Sequence, residues 1–221
     1  SQSMENSPFR THISRIEPAD KPTFHGCRDL IITCTDELPA EINANDDWGI
    51  ENLTWTPEVE FKRNIVRNNR ARGALFSSPR RTVCKNNLFD HTSGTAILLC
   101  GDCNGWYESG AVYDLLIEGN TFINALTSLY QFTNAVISIY PEIPQLKDTD
   151  PYFHGKGPRS IVIRNNHFDT FDAPLLYAKS VDGLVFKRNE VKKNSAYKPF
   201  HWNTQPIMLE HCTNTDIDSA D

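Results

Sequence analysis

Leu115-Leu-Ile-Glu-Gly-Asn120-Thr-Phe122 is one of five eight-residue phrases that align in this sequence without gaps. The others are Val59-Glu-Phe-Lys-Arg-Asn64-Ile-Val66, Thr82-Val-Cys-Lys-Asn-Asn87-Leu-Phe89, Ile161-Val-Ile-Arg-Asn-Asn166-His-Phe168 and Leu184-Val-Phe-Lys-Arg-Asn189-Glu-Val191. Each opens on three residues of β character, largely apolar at the first and third, which predicts a strand with one face inward. Basic or polar residues follow, then an asparagine, which tolerates the left-handed backbone of a sharp corner. Stacked at one corner, such amides can bond from coil to coil. Two residues later an apolar side chain re-enters the core. A fixed-period repeat of this kind is the mark of a solenoid. The fold class expected is all-β: a right-handed parallel β-helix of the pectin-lyase-like kind.

The aligned asparagines lie 23, 33, 46 and 23 residues apart. The short interval reads as one coil, and the others as one coil plus insertions of about 10 and about 23 residues. A second strand follows four of the phrases: Ala74–Ser78, Ala96–Cys100, Ala135–Tyr140 and Ala173–Ala178, with Gln205–Glu210 supplying the fifth. The rival solenoid, a leucine-rich repeat, needs an L-x-x-L-x-L pattern and helical return segments, and neither is found. Residues 212–217 resemble the opening of a further phrase and neither end carries a capping helix, although solenoids need polar caps. The expectation is a solenoid cut at both ends. Residues 1–57 break the period and read as an irregular or antiparallel β segment, with short strands at Ile13–Ile16, Asp29–Thr33, Glu41–Asn43 and Ile50–Trp55. Residues 58–221 read as the coils.

A chain of 221 residues, 39% hydrophobic and 23% charged, suits one globular domain or one with a small appendage. The net charge of -6 disfavours a nucleic-acid partner. No apolar run reaches the roughly 18 residues of a membrane span, and the polar N-terminus, Ser1 to Pro8, does not read as a signal peptide. Six cysteines are too irregularly spaced for a disulfide framework. Cys100 and Cys103 have the spacing of half a zinc site without a second half, so no metal and no cofactor is expected.

Insertions in a solenoid fall on loops, commonly on the binding face. The two large ones, Gly101–Asp114 and Pro141–Ser160, both leave the end of a second strand. Counted from the aligned alanines, Asp102 stands six after Ala96, Glu142 seven after Ala135 and Lys179 six after Ala173. Two carboxylates and an ammonium are thereby expected near one corner of three consecutive coils. With strands about 4.8 Å apart, the carboxylates would lie roughly 5–9 Å apart, the range of glycosidase pairs. The opposing reading makes Asp102 and Glu142 ordinary solvated loop acids. Trp106 and Tyr107, beside Glu108, have the amphipathic faces that stack on sugar rings, or they pack the loop. Arg72 can clamp a carboxylate or sugar hydroxyls, or serve a structural ion pair. Asp172, with Asp169, flanks Phe171 before a second strand, as substrate ligand or turn former. His91, His154 and His201 show no metal-ligand spacing.

Several longer stretches carry a further signal: 69–76 (NRARGALF), 89–97 (FDHTSGTAI), 101–110 (GDCNGWYESG), 134–144 (NAVISIYPEIP) and 171–183 (FDAPLLYAKSVDG). Together they resemble glycoside hydrolase family 110, bacterial exo-acting α-1,3-galactosidases that include blood-group B-cleaving enzymes. The resemblance covers residues 50–213. It implies a metal-independent β-helix enzyme, secreted or periplasmic, that releases terminal galactose from an oligosaccharide with inversion. It further implies that such enzymes are longer than this chain. Asp102 and Glu142 lie inside the matching stretches and are the catalytic candidates, with Glu108 third; Arg72, Trp106, Tyr107, Asp172 and Lys179 are the substrate-binding candidates. Assembly into a homo-oligomer is compatible with this reading. The alternatives are a pectate-lyase-like polysaccharide lyase, for which Lys179 or Arg72 would be the base, and a non-catalytic glycan-binding β-helix.

Overall fold

A computed structural model describes residues 7–21, 23–42, 48–102, 106, 110–129 and 134–218. Among them there is no helix. The chain forms two compact units that meet in sequence at Gly49 and Ile50. The first contains one antiparallel pair, β1 (Ile13–Pro18) with β2 (Leu30–Cys34), in which Ile16 faces Ile32. Two of the short strands expected there do not form. Ile42 closes a turn by donating to the Pro39 carbonyl, and Asn43 lies outside the described residues. In the second unit Ile50–Trp55 is likewise a turn, because the Asn52 side chain accepts the backbone N–H groups of Thr54 and Trp55. Such local side-chain bonds compete directly with a strand ladder.

The remaining strands are β3 (Val59–Lys62), β4 (Ile65–Arg67), β5 (Ala74–Phe76), β6 (Thr82–Lys85), β7 (Leu88–Asp90), β8 (Ile97–Leu99), β9 (Leu115–Glu118), β10 (Thr121–Ile123), β11 (Ile137–Ile139), β12 (His154–Gly155), β13 (Ile161–Arg164), β14 (His167–Thr170), β15 (Leu176–Lys187), β16 (Glu190–Lys193) and β17 (Ile207–Ile217). Every pairing among them is parallel. They stack in three columns that the chain visits in turn. Phrase openings pair β3-β6-β9-β13-β15, phrase ends pair β4-β7-β10-β14-β16, and second strands pair β5-β8-β11-β15. The last two coils merge columns, since β15 and β17 each run unbroken from a second strand into the next opening.

The corner between the first two columns is held by an amide ladder. Nδ2 of Asn64 donates to Oδ1 of Asn87 at 3.1 Å, and the step repeats from Asn87 to Asn120 (2.9 Å), Asn120 to Asn166 (3.0 Å) and Asn166 to Asn189 (3.0 Å). The same oxygens accept the backbone N–H of the asparagine one coil back, at 2.9–3.0 Å. The left-handed conformation, however, is not on these asparagines. It falls one residue earlier, on Arg63, Asn86, Gly119, Asn165 and Arg188. The preceding residue makes the corner, which frees the asparagine to turn its amide inward. Inside the ladder the rings of Phe89, Phe122 and Phe168 stack with centroids 5.2 and 4.9 Å apart.

Two glycines, Gly155 of β12 and Gly183 of β15, let the returning insertion close against the stack. Gly155 and Gly183 both have positive φ, and a Cβ at either would strike a carbonyl oxygen, that of Asp182 or of Gly157, at under 2 Å.

Asn120 is 1% exposed and occupies a middle rung, whereas Asn64 ends the ladder in partly open surroundings. Asn120→Ala strands buried donors and acceptors on both neighbours and is expected to cost about 3 kcal/mol; Asn64→Ala should cost about 1 kcal/mol or less. Equilibrium urea unfolding of the two variants measures the difference.

Candidate active site

Along the second-strand column, Phe76, Leu99, Ile139 and Ala178 share a register position and belong to, or pack in, the core. Side chains alternate along a strand, so the next position faces outward. It holds Ser77, Cys100, Tyr140, Lys179 and Glu210, the last two paired in register. The outward position before it holds Leu75, Leu98, Ser138, Tyr177 and Met208. Ser138 and Leu98 are nevertheless fully buried, so this outer face is covered rather than open to water.

The ladder between β8 and β11 continues past both strands. Tyr140 donates to Leu99 O at 2.9 Å, and Glu142 makes the same step to Gly101 O at 2.9 Å. Register therefore puts Glu142 directly beside Asp102. Sequence counting offset them by one residue, and the reason is local. Ala96 and Ile97 both donate to the Val136 carbonyl, at 2.8 and 3.2 Å, a two-against-one irregularity at the strand start as in a β-bulge. The register that follows, Ile97 beside Ile137, sets Ala96 level with Val136. Aligning Ala96 with Ala135 instead shifts the count by one residue.

The two acids sit in unlike surroundings. Asp102 is 6% exposed and accepts the Trp106 backbone N–H at 3.3 Å. Glu142 is exposed. The Trp106 side chain is 77% exposed, so its ring is turned to solvent. Tyr107 and Glu108 lie outside the described residues, as does Cys103; Cys100 is buried.

Tyr140 gathers the neighbourhood electrostatically. Burial pushes its phenol up, the nearby Cys100, Glu142 and Tyr177 add to this, and the Arg72 guanidinium opposes it. Arg72, from the first coil, is thus within electrostatic reach of the Tyr140 corner. Lys179 stands two residues short of the Asp102 and Glu142 position and pairs with Glu210 at 3.3 Å. Burial, and then the charge of Glu210 and a hydrogen bond to it, raise the Tyr177 phenol as well, and the Tyr140 and Tyr177 rings meet edge to face at 6.0 Å. Tyr140, Tyr177 and Glu210 were not selected from sequence. The signal was present only in register: Ser138 and Tyr140 alternate with core isoleucines, so the phenol had to face outward.

Asp172 lies at the opposite end of the second-strand column. It is 4% exposed, and its Oδ2 meets His201 Nδ1 at 2.7 Å while accepting the N–H groups of Phe200 (2.9 Å) and His201 (3.2 Å); Oδ1 accepts Ala173 N–H at 2.8 Å. Burial raises its proton affinity, but the His201 bond and the three backbone donors outweigh it and hold the carboxyl below the usual range. These bonds pin the return segment between β16 and β17 to the coil beneath.

No family model matches the chain. Curated relatives do. It is 59% identical over 217 residues to alpha-1,3-galactosidase B of Bacteroides fragilis, which covers 98% of this chain and 36% of the relative. It is 58% identical over 217 residues to the protein of that name from Phocaeicola vulgatus, covering 98% of this chain and 37% of the relative. The protein of that name from Parabacteroides distasonis is 52% identical over 219 residues, 99% of this chain and 35% of the relative. The chain spans just over a third of the length of these relatives.

Because its folded-state pKa is lowered, Asp172 contributes stability above the ordinary carboxylate range that is lost as pH falls through the lowered value. Asp172→Asn is expected to cost about 3 kcal/mol at pH 7, and the deficit should shrink below about pH 4. Urea unfolding across pH 7 to 3 gives the comparison. With more than half its residues identical over nearly its whole length, the chain is a homologue of the bacterial proteins named alpha-1,3-galactosidase B, in agreement with its resemblance to glycoside hydrolase family 110.

Proposed function

We propose that these coils form part of a right-handed parallel β-helix and carry the reacting corner of a glycoside hydrolase. Its substrate is a terminal α-1,3-linked galactose on an oligosaccharide or glycoconjugate, and no metal or cofactor is needed. The right-handed winding follows the strong preference of parallel crossovers. The observation that carries the reading is the in-register placement of Asp102 and Glu142 at the mouths of both long insertions, taken with the names of the relatives.

Glycosidic hydrolysis needs one carboxyl to protonate the leaving oxygen and a second to activate water or attack the sugar. Adjacent in-register Cα atoms stand about 4.8 Å apart. Inversion therefore asks the two side chains to diverge to roughly 6.5–9.5 Å, leaving room for a water. The opposite exposures of buried Asp102 and solvent-facing Glu142 support such divergence. In this reading Trp106 offers an exposed ring for sugar stacking, and Tyr107 is a second candidate for that role. Arg72 approaches substrate hydroxyls near Tyr140, and Glu108 is the reserve carboxylate. Lys179 borders the site through its pair with Glu210, which ties up the ammonium that a lyase would deprotonate. Asp172 lines the far end of the same column.

Asp102→Asn and Glu142→Gln should each reduce galactose release by about 10³-fold or more with the fold intact. Rates within tenfold of the parent in either variant remove that residue from the mechanism, and Glu108→Gln then becomes the decisive variant. Proton NMR of the first sugar formed reads the stereochemistry: β-galactose establishes inversion, whereas α-galactose first would sink it.

A further inference from the structure

Between the two insertions stands a histidine that the proposed chemistry does not use. His154 is fully buried and opens β12, the strand by which the second insertion rejoins the stack. Its Nδ1 accepts the Val112 N–H at 3.2 Å, at the point where the first insertion rejoins. Gly155 N–H donates to the Val112 carbonyl at 2.9 Å, and Phe153 N–H donates to Ser180 Oγ at 2.9 Å. Nε2 is buried with no hydrogen-bond partner among the described residues, and the Tyr140 backbone lies close enough to act on the ring in the direction that raises its proton affinity. Tyr140 is two residues before Glu142.

An acceptor at Nδ1 assigns the proton to Nε2. Burial pushes the imidazole pKa down to about 3, so the ring is neutral at working pH. Its acceptor is held by the return of the first insertion, and the ring lies within reach of the Tyr140 backbone, where the second insertion departs. A leucine or phenylalanine would fill this volume without a polar atom. Keeping a buried N–H incompletely satisfied costs on the order of 1–3 kcal/mol, a cost that packing alone does not explain.

We propose that His154 is a positioning residue that sets where the strand end bearing Glu142 stands relative to the one bearing Asp102. The proposal rests on the reading of these two acids as the reacting carboxylates. His154 touches neither acid and acts through the Val112 and Tyr140 backbone. A displacement of about 1 Å between reacting groups is enough to cost on the order of 10²-fold in rate.

The test uses the protein expressed from its full natural reading frame, with an α-1,3-linked galactosyl disaccharide as substrate. His154→Leu keeps bulk and removes both polar contacts; His154→Gln places an amide donor where Nε2 stood. Expected for His154→Leu is a fall in kcat of about 10- to 100-fold, with KM within about threefold and a cooperative unfolding transition retained. His154→Gln should recover most of the lost kcat. Should His154→Leu fail to fold, His154→Met replaces it and is read in the same way. A folded apolar variant with kcat within threefold of the parent overturns the proposal, as does an equal loss in the Gln and apolar variants. Absence of galactose release by the parent itself would instead overturn the galactosidase reading, so the two failures are distinguishable.

Discussion

The amide ladder sets the terms for the rest of the coils. Asn87, Asn120 and Asn166 are buried, and each is acceptable there only because the coils above and below satisfy it. Nδ2 of each also donates to a backbone carbonyl of the preceding coil: Phe61, Cys84 and Ile117 respectively. A slip of one residue between coils would break these bonds together and turn the phenylalanine stack outward. The ladder thus acts mainly on register. Register in turn decides which outward side chains stand side by side on the second-strand column some residues away.

That dependence explains what was legible in the sequence. The five phrases and their spacing were readable because each coil repeats a local chemical need, and the parallel pairings follow the predicted alignment from Asn64 to Asn189. Three features were not legible. The left-handed corner falls on residues as unlike as Arg63, Asn86 and Gly119, so composition gave it no signature. The turn at Ile50–Trp55 looks like a strand by composition, but one asparagine side chain redirects its backbone. The doubled bonding of Ala96 and Ile97 to Val136 is a backbone event with no residue type attached.

The candidate site illustrates the same division. Asp102 and Glu142 could be picked from sequence because insertions and strand ends are visible in the spacing. Their alignment could not, because it hangs on the strand register beside Val136. Tyr140, Tyr177 and Glu210 emerge only when alternation is combined with register. His154 was visible only as a histidine without ligand spacing; its interest comes from a backbone partner 42 residues away, Val112, and from the nearby backbone of Tyr140, 14 residues away. Asp172 was selected as a polar residue before a strand. Its surroundings show four hydrogen-bonding contacts from its own chain, a structural burden that flanking sequence does not reveal.

The two glycines at the foot of the long insertion have a different kind of consequence. At Gly155 and Gly183 the backbones of neighbouring segments touch where any side chain would lie, so the return path of the loop is fixed to atomic tolerance. The stretch between Ile143 and Tyr152 is held differently, by side chains: His211 of β17 meets the Asp150 carbonyl at 2.9 Å and stacks on the Tyr152 ring. Side-chain contacts of this kind tolerate substitution more readily than a backbone-on-backbone approach. A scaffold built this way separates shape from surface: the glycine posts fix where the loop lands, while its middle is held by exchangeable side chains.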